Sequence, residues 1–369
     1  MGLASRGWDV HVLTSHLYEA ALAELVGSAP EVHVVRPPAP AGAGLPGKLW
    51  RYALAAPLWP GLALSGQLRA GVLVRDQVSR IFERIRPDVV HAHFGGNGVI
   101  AALAMARRRR RLIVDFHGHD VTVVPRREGW AVYRQLFAEA VGVVHSQFIH
   151  DRVRAHLDLP LHRVNLGADP TVFMAKEARG EYSEALQLLT VGRLIYQKGH
   201  HVAIDALALL HRHDRYANAR LSIIGDGPGR EWLAQRARAV GVAGSVTFLG
   251  PQSHREVAAA MRRSDVLLVP SLRVSSGAEE AFGRAAVEGL STGLPVVVSD
   301  VGGLPESVRG AGVVVPPGRA RELADALLCQ VLSQTPATWS ALALARARSF
   351  TQDRLIDEYH AVTHLTRCR

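Results

Sequence analysis

Acidic and glycine residues with the spacing of a phosphate and sugar site lie near residue 284. Glu280 and Glu288 are separated by seven residues, and Phe282 and Gly283 lie between them at the predicted start of a helix. A loop that leads into a helix offers backbone N–H groups and the positive end of the helix dipole, and both favour a phosphate. The carboxylates on either side are suited to accept hydrogen bonds from sugar hydroxyls. The stretch therefore predicts a nucleotide-sugar site.

A second loop supplies positive charge. Arg193 and Lys198 lie in Val-Gly-Arg-Leu-Ile-Tyr-Gln-Lys-Gly at 191–199, between a predicted strand and a predicted helix. Glycines permit close backbone approach, so the two cations can converge on one diphosphate; the alternative is a pair of surface cations. Transfer of a sugar from a nucleotide diphosphate requires that the negative charge of the departing diphosphate be neutralised. Two cations can do this without a metal ion. The sequence shows no evident Asp-x-Asp pair for metal-assisted transfer, and no metal is expected.

Histidines follow two strands in the first half. His91 and His93 lie in His-Ala-His-Phe-Gly, and His117 and His119 lie in Asp-Phe-His-Gly-His-Asp at 115–120. Histidine is a zinc ligand, but these spacings fit no common zinc site and show no third-ligand pattern. We expect these histidines to face a cleft and to take part in binding or reaction there. For His93, packing alone is the alternative.

Alternating strand and helix patterns must position these loops, and such alternation is typical of parallel α/β domains. Strands are predicted at 9–13, 32–35, 88–91, 112–115, 141–145, 163–166, 187–192, 220–225, 245–248, 265–269, 295–299 and 312–315. Helices are predicted between them, for example at 98–106, 200–212, 229–241, 254–263 and 283–292. Two successive sets predict two Rossmann-like domains facing across a cleft, at 1–169 and 170–350. A final helix within 351–369 is expected to return to the first domain.

The start of the chain departs from this pattern. The first fifteen residues predict the end of a helix, a stop at Gly7 and a strand. A doubly wound domain is expected to open with a strand and a glycine-rich turn, and both are missing here. One interpretation places the true start further upstream. The other is a truncated and inactive protein.

Composition limits the classes of partner. A chain of 369 residues with a net charge of +10 and a pI near 10.3 fits two domains and an anionic partner. A nucleotide diphosphate and an anionic membrane surface both satisfy the charge, and no nucleic-acid motif is present. The arginines at 107–111 favour a cationic helix C-terminus that suits the helix dipole, and docking to a membrane or to an acidic partner is the alternative. The aromatic and cationic segment at 36–62 favours a surface connection, or an interfacial or acceptor-lining segment.

Two cysteines without a metal-ligand pattern fit a reducing compartment, so a cytoplasmic protein is expected, with peripheral contact at the inner face of the membrane as a further possibility. The sequence contains no uninterrupted run of 18 apolar residues, so a membrane-spanning helix is not expected.

The motifs and their order resemble the retaining glycosyltransferases of family four, which have the GT-B fold, over about residues 80–320. His-Ala-His-Phe-Gly, Phe-His-Gly-His-Asp and Ser-Gly-Ala-Glu-Glu-Ala-Phe-Gly are most similar to bacterial exopolysaccharide transferases of the colanic-acid and amylovoran type. The resemblance implies an N-terminal acceptor domain and a C-terminal donor domain. Ala281 departs from the glycine that is usual at its position, and this is tolerated if its φ is negative.

The resemblance also implies residue roles. His117 would face the reacting sugar, and Glu280, with Glu279 as the alternative, would bind donor-sugar hydroxyls. Glu288 would accept from the ribose. The implied catalytic residues are His117, Glu280, Arg193 and Lys198, of which the two cations would stabilise the leaving diphosphate. The other implied donor-binding residues are Gly192, Gly225, Phe282, Gly283 and Arg284. The implied acceptor-side residues are His93, His119 and Asp120.

The expected reaction moves a hexose-type sugar from a nucleotide diphosphate sugar to a glycan, lipid-linked or small-molecule hydroxyl. UDP is favoured over GDP, and no cofactor is expected. In the front-face course proposed for this class, a diphosphate oxygen takes the acceptor proton, so no protein nucleophile is required. The alternatives are a non-catalytic nucleotide-sugar binding protein and a nucleotide-sugar epimerase of the same fold.

Overall fold

The structure is a computed structural model that describes residues 7, 9–13, 32–35, 66–105, 111–177 and 180–367. The expectations for the start of the chain before Gly7, for the segment at 36–62 and for the arginines at 107–110 lie outside the described residues.

The chain forms two compact units. Unit 1 comprises Met1–Val144, His150–Val164 and Ile356–Arg369, and unit 2 comprises His145–Ile149 and Asn165–Leu355. The limits predicted from the sequence place the divisions at residues 169 and 351, where the structure places the main divisions at 164 and 355. Each unit contains parallel sheet and helices, so the predicted two-domain Rossmann-like α/β fold is confirmed.

Unit 1 contains two parallel sheets. The first pairs β1 (Val10–Leu13) with β2 (Val32–Val35), and the second has the order β3 (Val89–His93), β4 (Arg111–Phe116), β5 (Val141–Val144) and β6 (Leu161–Arg163). Its helical segments are α1 (Gly66–Ile85), α2 (Gly95–Met105), α3 (His119–Thr122), α4 (Val124–Glu128) and α5 (Ala131–Leu136), and α6 (Gln147–Arg154) follows β5.

One strand of unit 1 was predicted at the wrong place. The sequence predicted 163–166, but β6 runs from Leu161 to Arg163 and pairs with β5 from Gly142 to Val144. β6 lies at the edge of the sheet, and its residues are partly exposed, so two of its three positions are polar. An edge strand of this kind lacks the continuous apolar run on which the prediction depended.

Unit 2 contains one six-stranded parallel sheet. Its strands are β7 (Gln187–Val191), β8 (Arg220–Ile224), β9 (Val246–Gly250), β10 (Val266–Val269), β11 (Val296–Ser299) and β12 (Val313–Val315). Its helices are α7 (His200–Leu210), α8 (Arg230–Ala239), α9 (His254–Arg263), α10 (Arg284–Ser291), α11 (Leu304–Val308), α12 (Ala320–Ala326) and α13 (Pro336–Ala347), and α14 (Gln352–Arg367) follows.

Strands β10 and β11 of unit 2 are buried on both faces. In β10, Val266 and Leu268 belong to one apolar cluster, whereas Leu267 and Val269 belong to another. Successive side chains of a strand point to opposite faces, so helices must cover both sides of this sheet. The uninterrupted Val-Leu-Leu-Val sequence is the consequence.

The strand order positions a ligand site. The order is β12-β11-β10-β7-β8-β9, so the first and fourth strands of the unit are neighbours. The connections diverge at this point of a doubly wound sheet, and ligands bind outside the carboxyl ends of the strands there. The loops that follow β7 and β10 contain most of the residues predicted to bind the donor, whereas Gly225 follows β8 and Glu288 lies in α10.

Among the described helices, none combines the length and hydropathy needed to cross a membrane.

Candidate active site

The loops after β7 and β10 approach each other backbone to backbone. The amide of Leu272 donates to the carbonyl oxygen of Gln197 over 2.7 Å. Gly199 has a φ of 69°, and a Cβ built on it would lie 1.8 Å from the carbonyl oxygen of Pro270. Only glycine fits this approach, because any side chain would overlap the neighbouring backbone. The fold thereby brings the two predicted donor loops into one site.

Lys198 and Glu280 meet at this junction. Lys198 Nζ lies 2.6 Å from Glu280 Oε2, and the two side chains are 23% and 15% exposed. Ser271 Oγ lies 3.4 Å from the same carboxylate oxygen. Glu279, the alternative for this position, instead pairs with Arg273 at 3.7 Å. The structure therefore brings Glu280 rather than Glu279 to Lys198, whereas the role of Glu280 towards a sugar stays a prediction.

The first turn of α10 and Glu288 form the next part of the site. Gly283 is the N-cap residue of α10, and no described side chain caps this end. Arg284 begins the helix, and its Nη2 lies 3.3 Å from Glu288 Oε1. Burial raises the pKa of Glu288 above its usual range, and Arg284 opposes that shift. The helix thus presents backbone N–H groups one turn from a largely buried carboxyl group.

A glycine pair holds the loop that leads into α10. Gly302 has a φ of 58°, and a Cβ there would lie 1.9 Å from the carbonyl oxygen of Glu280. The Gly303 amide donates to that carbonyl over 2.9 Å, and Ser146 Oγ donates to the Ala281 carbonyl over 2.6 Å. Close backbone packing therefore fixes the position of the Glu280 backbone, from which its side chain extends.

Ala281 and Phe282 lie in the same loop, and the sequence set a backbone condition for Ala281. Among the described residues other than glycine, positive φ angles occur only at Arg86 and Phe94, so Ala281 meets the expected condition. Phe282 is buried, and its ring centroid lies 5.4 Å from that of Phe350. The side chain of Phe282 thus anchors the loop in the core while its backbone leads into the helix.

A buried histidine, His200, supports the Arg193 loop, and no role was predicted for it. His200 Nε2 lies 3.1 Å from the Arg193 carbonyl oxygen, and its Nδ1 lies 3.1 Å from Thr190 Oγ1. Burial lowers the pKa of His200 to about 4, so the ring is neutral at neutral pH. A neutral ring can donate to the carbonyl and accept from the hydroxyl. The Arg193 side chain itself is exposed.

Gly192 and Gly225 lie at the carboxyl ends of adjacent strands. The Gly192 amide donates to the Ile224 carbonyl over 2.9 Å, and the Gly225 amide donates to the Gly250 carbonyl over 2.9 Å. The Leu194 amide reaches the Asp226 carbonyl over 2.9 Å. The Gly-Asp-Gly turn therefore supports the Arg193 loop, and direct contact of either glycine with a nucleotide stays a prediction.

In unit 1, Asp120 joins the loops after β3 and β4. Its carboxylate accepts from the Gly95 amide over 2.8 Å and from the His117 amide over 3.0 Å. Burial raises the pKa of Asp120 to about 6, and these hydrogen bonds oppose the shift. Asp120 thus positions the His117 backbone, whereas exposed His119 is the first residue of α3. Contact of the Asp120 or His119 side chain with an acceptor stays a prediction.

A second carboxylate of unit 1 is surrounded by imidazoles. Asp115 is fully buried, His93 Nδ1 lies 3.1 Å from its Oδ2, and His117 Nε2 lies 3.6 Å from its Oδ1. His91 Nε2 lies 3.7 Å from Oδ2, and the Tyr359 hydroxyl donates to that oxygen. Burial and the Asp115 charge raise the pKa of Tyr359, so the phenol remains a donor. No role was predicted for Asp115 or Tyr359, although alternation on β3 places His91 and His93 on one face.

Two family models and one relative match most of the chain. A model described as group 1 glycosyl transferases matches residues 174–336, and one described as a glycosyl transferase 4-like domain matches residues 1–166. D-inositol 3-phosphate glycosyltransferase of Actinosynnema mirum is 30% identical in an alignment of 359 positions, which covers 84% of this chain and 80% of that protein.

Two further relatives match a shorter part. Glycogen synthase of Mycobacterium tuberculosis is 31% identical over 286 residues, 73% of this chain and 65% of that protein. The chain therefore spans just under two thirds of the glycogen synthase. The amylovoran biosynthesis glycosyltransferase AmsK of Erwinia amylovora is 29% identical over 257 residues, 65% of this chain and 60% of that protein.

A solved structure shows the same fold. HepE of Anabaena in complex with UDP-glucose superimposes with a TM-score of 0.73 at 22% identity, over 99% of this chain and 94% of that chain.

Proposed function

Since the chain belongs to the group 1 glycosyl transferases, we propose that it transfers a hexose-type sugar from a nucleotide diphosphate sugar to a hydroxyl group, with retention of configuration. The observation that carries the proposal is the pair of Lys198 and Glu280 at the strand crossover of unit 2. A cation for the diphosphate and a carboxylate for the sugar meet at the place where such sheets bind ligands.

The charges of the site suit a departing diphosphate. An ammonium group has three N–H donors, so Lys198 can keep its contact with Glu280 and still donate to a phosphate oxygen. Exposed Arg193 and the N-terminus of α10 supply further positive potential. These groups stabilise charge that develops as the glycosidic bond breaks, and such stabilisation accelerates the chemical step.

The two carboxyl groups have different environments. Glu280 is held as an ion pair with Lys198, which suits hydrogen bonds from sugar hydroxyls. Glu288 is 8% exposed, and the proposed ribose hydroxyls would supply donors to a group that has lost most of its water. The proposed reaction needs no protein nucleophile, because the leaving diphosphate accepts the proton of the acceptor. His117 of unit 1 is proposed to contact the sugar.

We further propose UDP as the nucleotide and extracellular polysaccharide assembly as the setting. UDP-glucose is the ligand in the HepE structure, and AmsK bears the name of an amylovoran biosynthesis enzyme. An acceptor at an anionic membrane surface is consistent with the net charge of +10.

Nucleotide binding tests the donor site. We expect UDP to bind, and Lys198→Met to weaken UDP binding by about 10- to 100-fold, because a charge-assisted hydrogen bond contributes about 1.5–3 kcal/mol. Arg238→Met is the matched control, since Arg238 is an exposed cation of the same unit that pairs with Glu231. Isothermal titration with UDP, GDP and ADP would contradict the proposal if no nucleotide bound, or if both variants behaved alike.

The reaction itself separates the transferase from its alternatives. We expect UDP release from UDP-sugar to increase when a polysaccharide or lipid-linked acceptor is added. Release without an acceptor would indicate an epimerase, and binding without release under any condition would indicate a non-catalytic protein.

A further inference from the structure

The histidine cluster of unit 1 is assembled by two neighbouring strands. His91 and His93 are two residues apart on β3, so their side chains project from one face. The register of the sheet places His93 opposite Asp115 on β4, and His117 follows two residues later. Four groups that ligate metals therefore project from the same side of the β3–β4 pair, although their spacing along the chain matches no common zinc motif.

The distances among three of these groups, His91, His93 and Asp115, fit one ion. Ligand atoms of a tetrahedral zinc site are about 3.3 Å apart, because each lies about 2.0–2.1 Å from the metal. Here Asp115 Oδ2 lies 3.1 Å from His93 Nδ1 and 3.7 Å from His91 Nε2. His93 Nδ1 also lies 3.1 Å from His117 Nε2. One ligand atom from each of His91, His93 and Asp115 lies within 4.8 Å of the others.

The protonation chemistry of the cluster also favours a cation. His93 Nδ1 is equally close to a carboxylate oxygen and to another imidazole nitrogen, and one ring proton can serve only one of them. A metal ion attracts the nitrogen of His93 and the carboxylate oxygen at once. The fully buried carboxylate of Asp115 contributes the negative charge that a divalent cation requires.

A supporting hydrogen bond orients the carboxylate. The hydroxyl of Tyr359, on α14, donates to Asp115 Oδ2. Ligating carboxylates are commonly held by such outer hydrogen bonds, which fix their orientation. Tyr359 also lies beside the two strand histidines, with its ring centroid 5.2 Å from that of His91 and 6.4 Å from that of His93.

We propose that His91, His93 and Asp115 form a binding site for Zn²⁺. Two imidazole nitrogens and one carboxylate oxygen are donors of the type that zinc prefers, and three protein ligands leave the fourth tetrahedral position open. The site departs from the sequence-based expectation that no metal binds. It goes beyond the proposed transfer reaction, because it involves only unit 1 and requires no nucleotide.

Metal binding to the stripped protein tests the site without an activity assay. The whole chain, without an affinity tag and with Cys329 and Cys368 replaced by serine, is treated with a chelator and then dialysed against Zn²⁺ alone. We expect one Zn²⁺ per chain, and we expect Co²⁺ to give the intense visible absorption of a tetrahedral site.

Variants locate the ion. His93→Ala should weaken Zn²⁺ binding on the order of 100-fold or more, and Tyr359→Phe by about 10- to 100-fold. The His93 side chain is 55% exposed, so its loss should leave the fold intact, and cooperative thermal unfolding checks this. His364→Ala is the matched control, because His360 and His364 lie one helical turn apart on α14 and offer an alternative chelating pair.

Zn²⁺ binding by the parent protein and its variants decides whether the site exists. Zn²⁺ binding that is lost in His93→Ala and retained in His364→Ala supports the site. The proposal is overturned if the parent protein binds no Zn²⁺ above the level of a surface histidine pair, or if His93→Ala binds as tightly as the parent. UDP titration of the same samples reports on unit 2 separately, so failure of the zinc site and failure of the proposed transfer can be distinguished.

Discussion

The two units position their chemically important loops by different means. In unit 2, backbone packs on backbone: Gly199 lies against Pro270, and Gly302 lies against Glu280. In unit 1, the loops after β3 and β4 are joined by the buried carboxylate of Asp120. One unit therefore depends on the absence of side chains at chosen positions, and the other depends on buried polar side chains.

This difference affects what each unit leaves available. Backbone packing leaves Lys198 and Glu280 partly exposed, with charges that can respond to a ligand. The carboxylates of Asp115 and Asp120 in unit 1 are almost fully buried and engaged in the fold. Geometry in unit 2 should thus be sensitive to added volume, and geometry in unit 1 should be sensitive to lost hydrogen bonds.

The largest expected effect tests the backbone contact of unit 2. Gly199→Ala adds a Cβ against the Pro270 carbonyl at a φ of 69°, so we expect the free energy of unfolding to fall by about 3 kcal/mol or more. Gly241→Ala has a similar φ of 80° in open space and should cost about 1 kcal/mol. Gly244→Ala has neither feature. Urea unfolding that ranked the three variants alike would remove the basis of the comparison.

A smaller effect tests the side-chain contact of unit 1. Tyr359→Phe removes a donor from the buried Asp115 carboxylate, and we expect a loss of about 2–3 kcal/mol. Tyr182→Phe in unit 2 removes a hydrogen bond to the Val331 carbonyl and should cost about 1 kcal/mol, because its acceptor is neutral. Hydrogen exchange of the β4 and β7 peptides measures each unit separately. Equal losses would show that the Asp115 contact has no special importance.

The smallest expected effect concerns acid. The pKa of His200 is lowered by burial to about 4, whereas the unfolded value is about 6.5. The unfolded chain binds the extra proton in this range, so the stabilisation is complete above pH 6.5 and is lost as the pH falls towards 4. We expect unit 2 to lose about 1–2 kcal/mol between pH 6.5 and 5.

Variants isolate the acid effect. His200→Gln keeps a donor and an acceptor but does not titrate, so its stability should change less over this range. His213→Gln, at an exposed position, should keep the dependence of the parent protein. A parent and a His200→Gln variant with the same pH dependence would contradict the assignment.

The fold was largely predictable because inner strands such as β5, β10 and β11 are buried on both faces. Val-Leu-Leu-Val in β10 is apolar throughout for this reason, and its position was predicted to within a residue. β6 was misplaced because an edge strand tolerates His162 and Arg163. Local apolar patterns record burial, and they carry little information where burial is partial.

The candidate site was predictable in its residues but not in its contacts. Motifs identified Lys198 and Glu280 individually, yet they are 82 residues apart, and their meeting depends on β7 and β10 being neighbours. Asp115 likewise meets His93 only through the register of β3 and β4. His200 begins an apolar helix, where nothing in the sequence distinguishes a buried polar support from an ordinary packed residue.

The path of the chain has a consequence for synthesis on the ribosome. Unit 1 includes Ile356–Arg369, and Tyr359 is the donor to Asp115. During translation, every residue of unit 2 up to Leu355 emerges before this tyrosine does. Unit 2 can therefore form all of its contacts before unit 1 is complete. Until Tyr359 has emerged, the carboxylate of Asp115 lacks the hydrogen bond that this tyrosine donates. Chaperone demand should accordingly fall on the N-terminal half of the nascent chain.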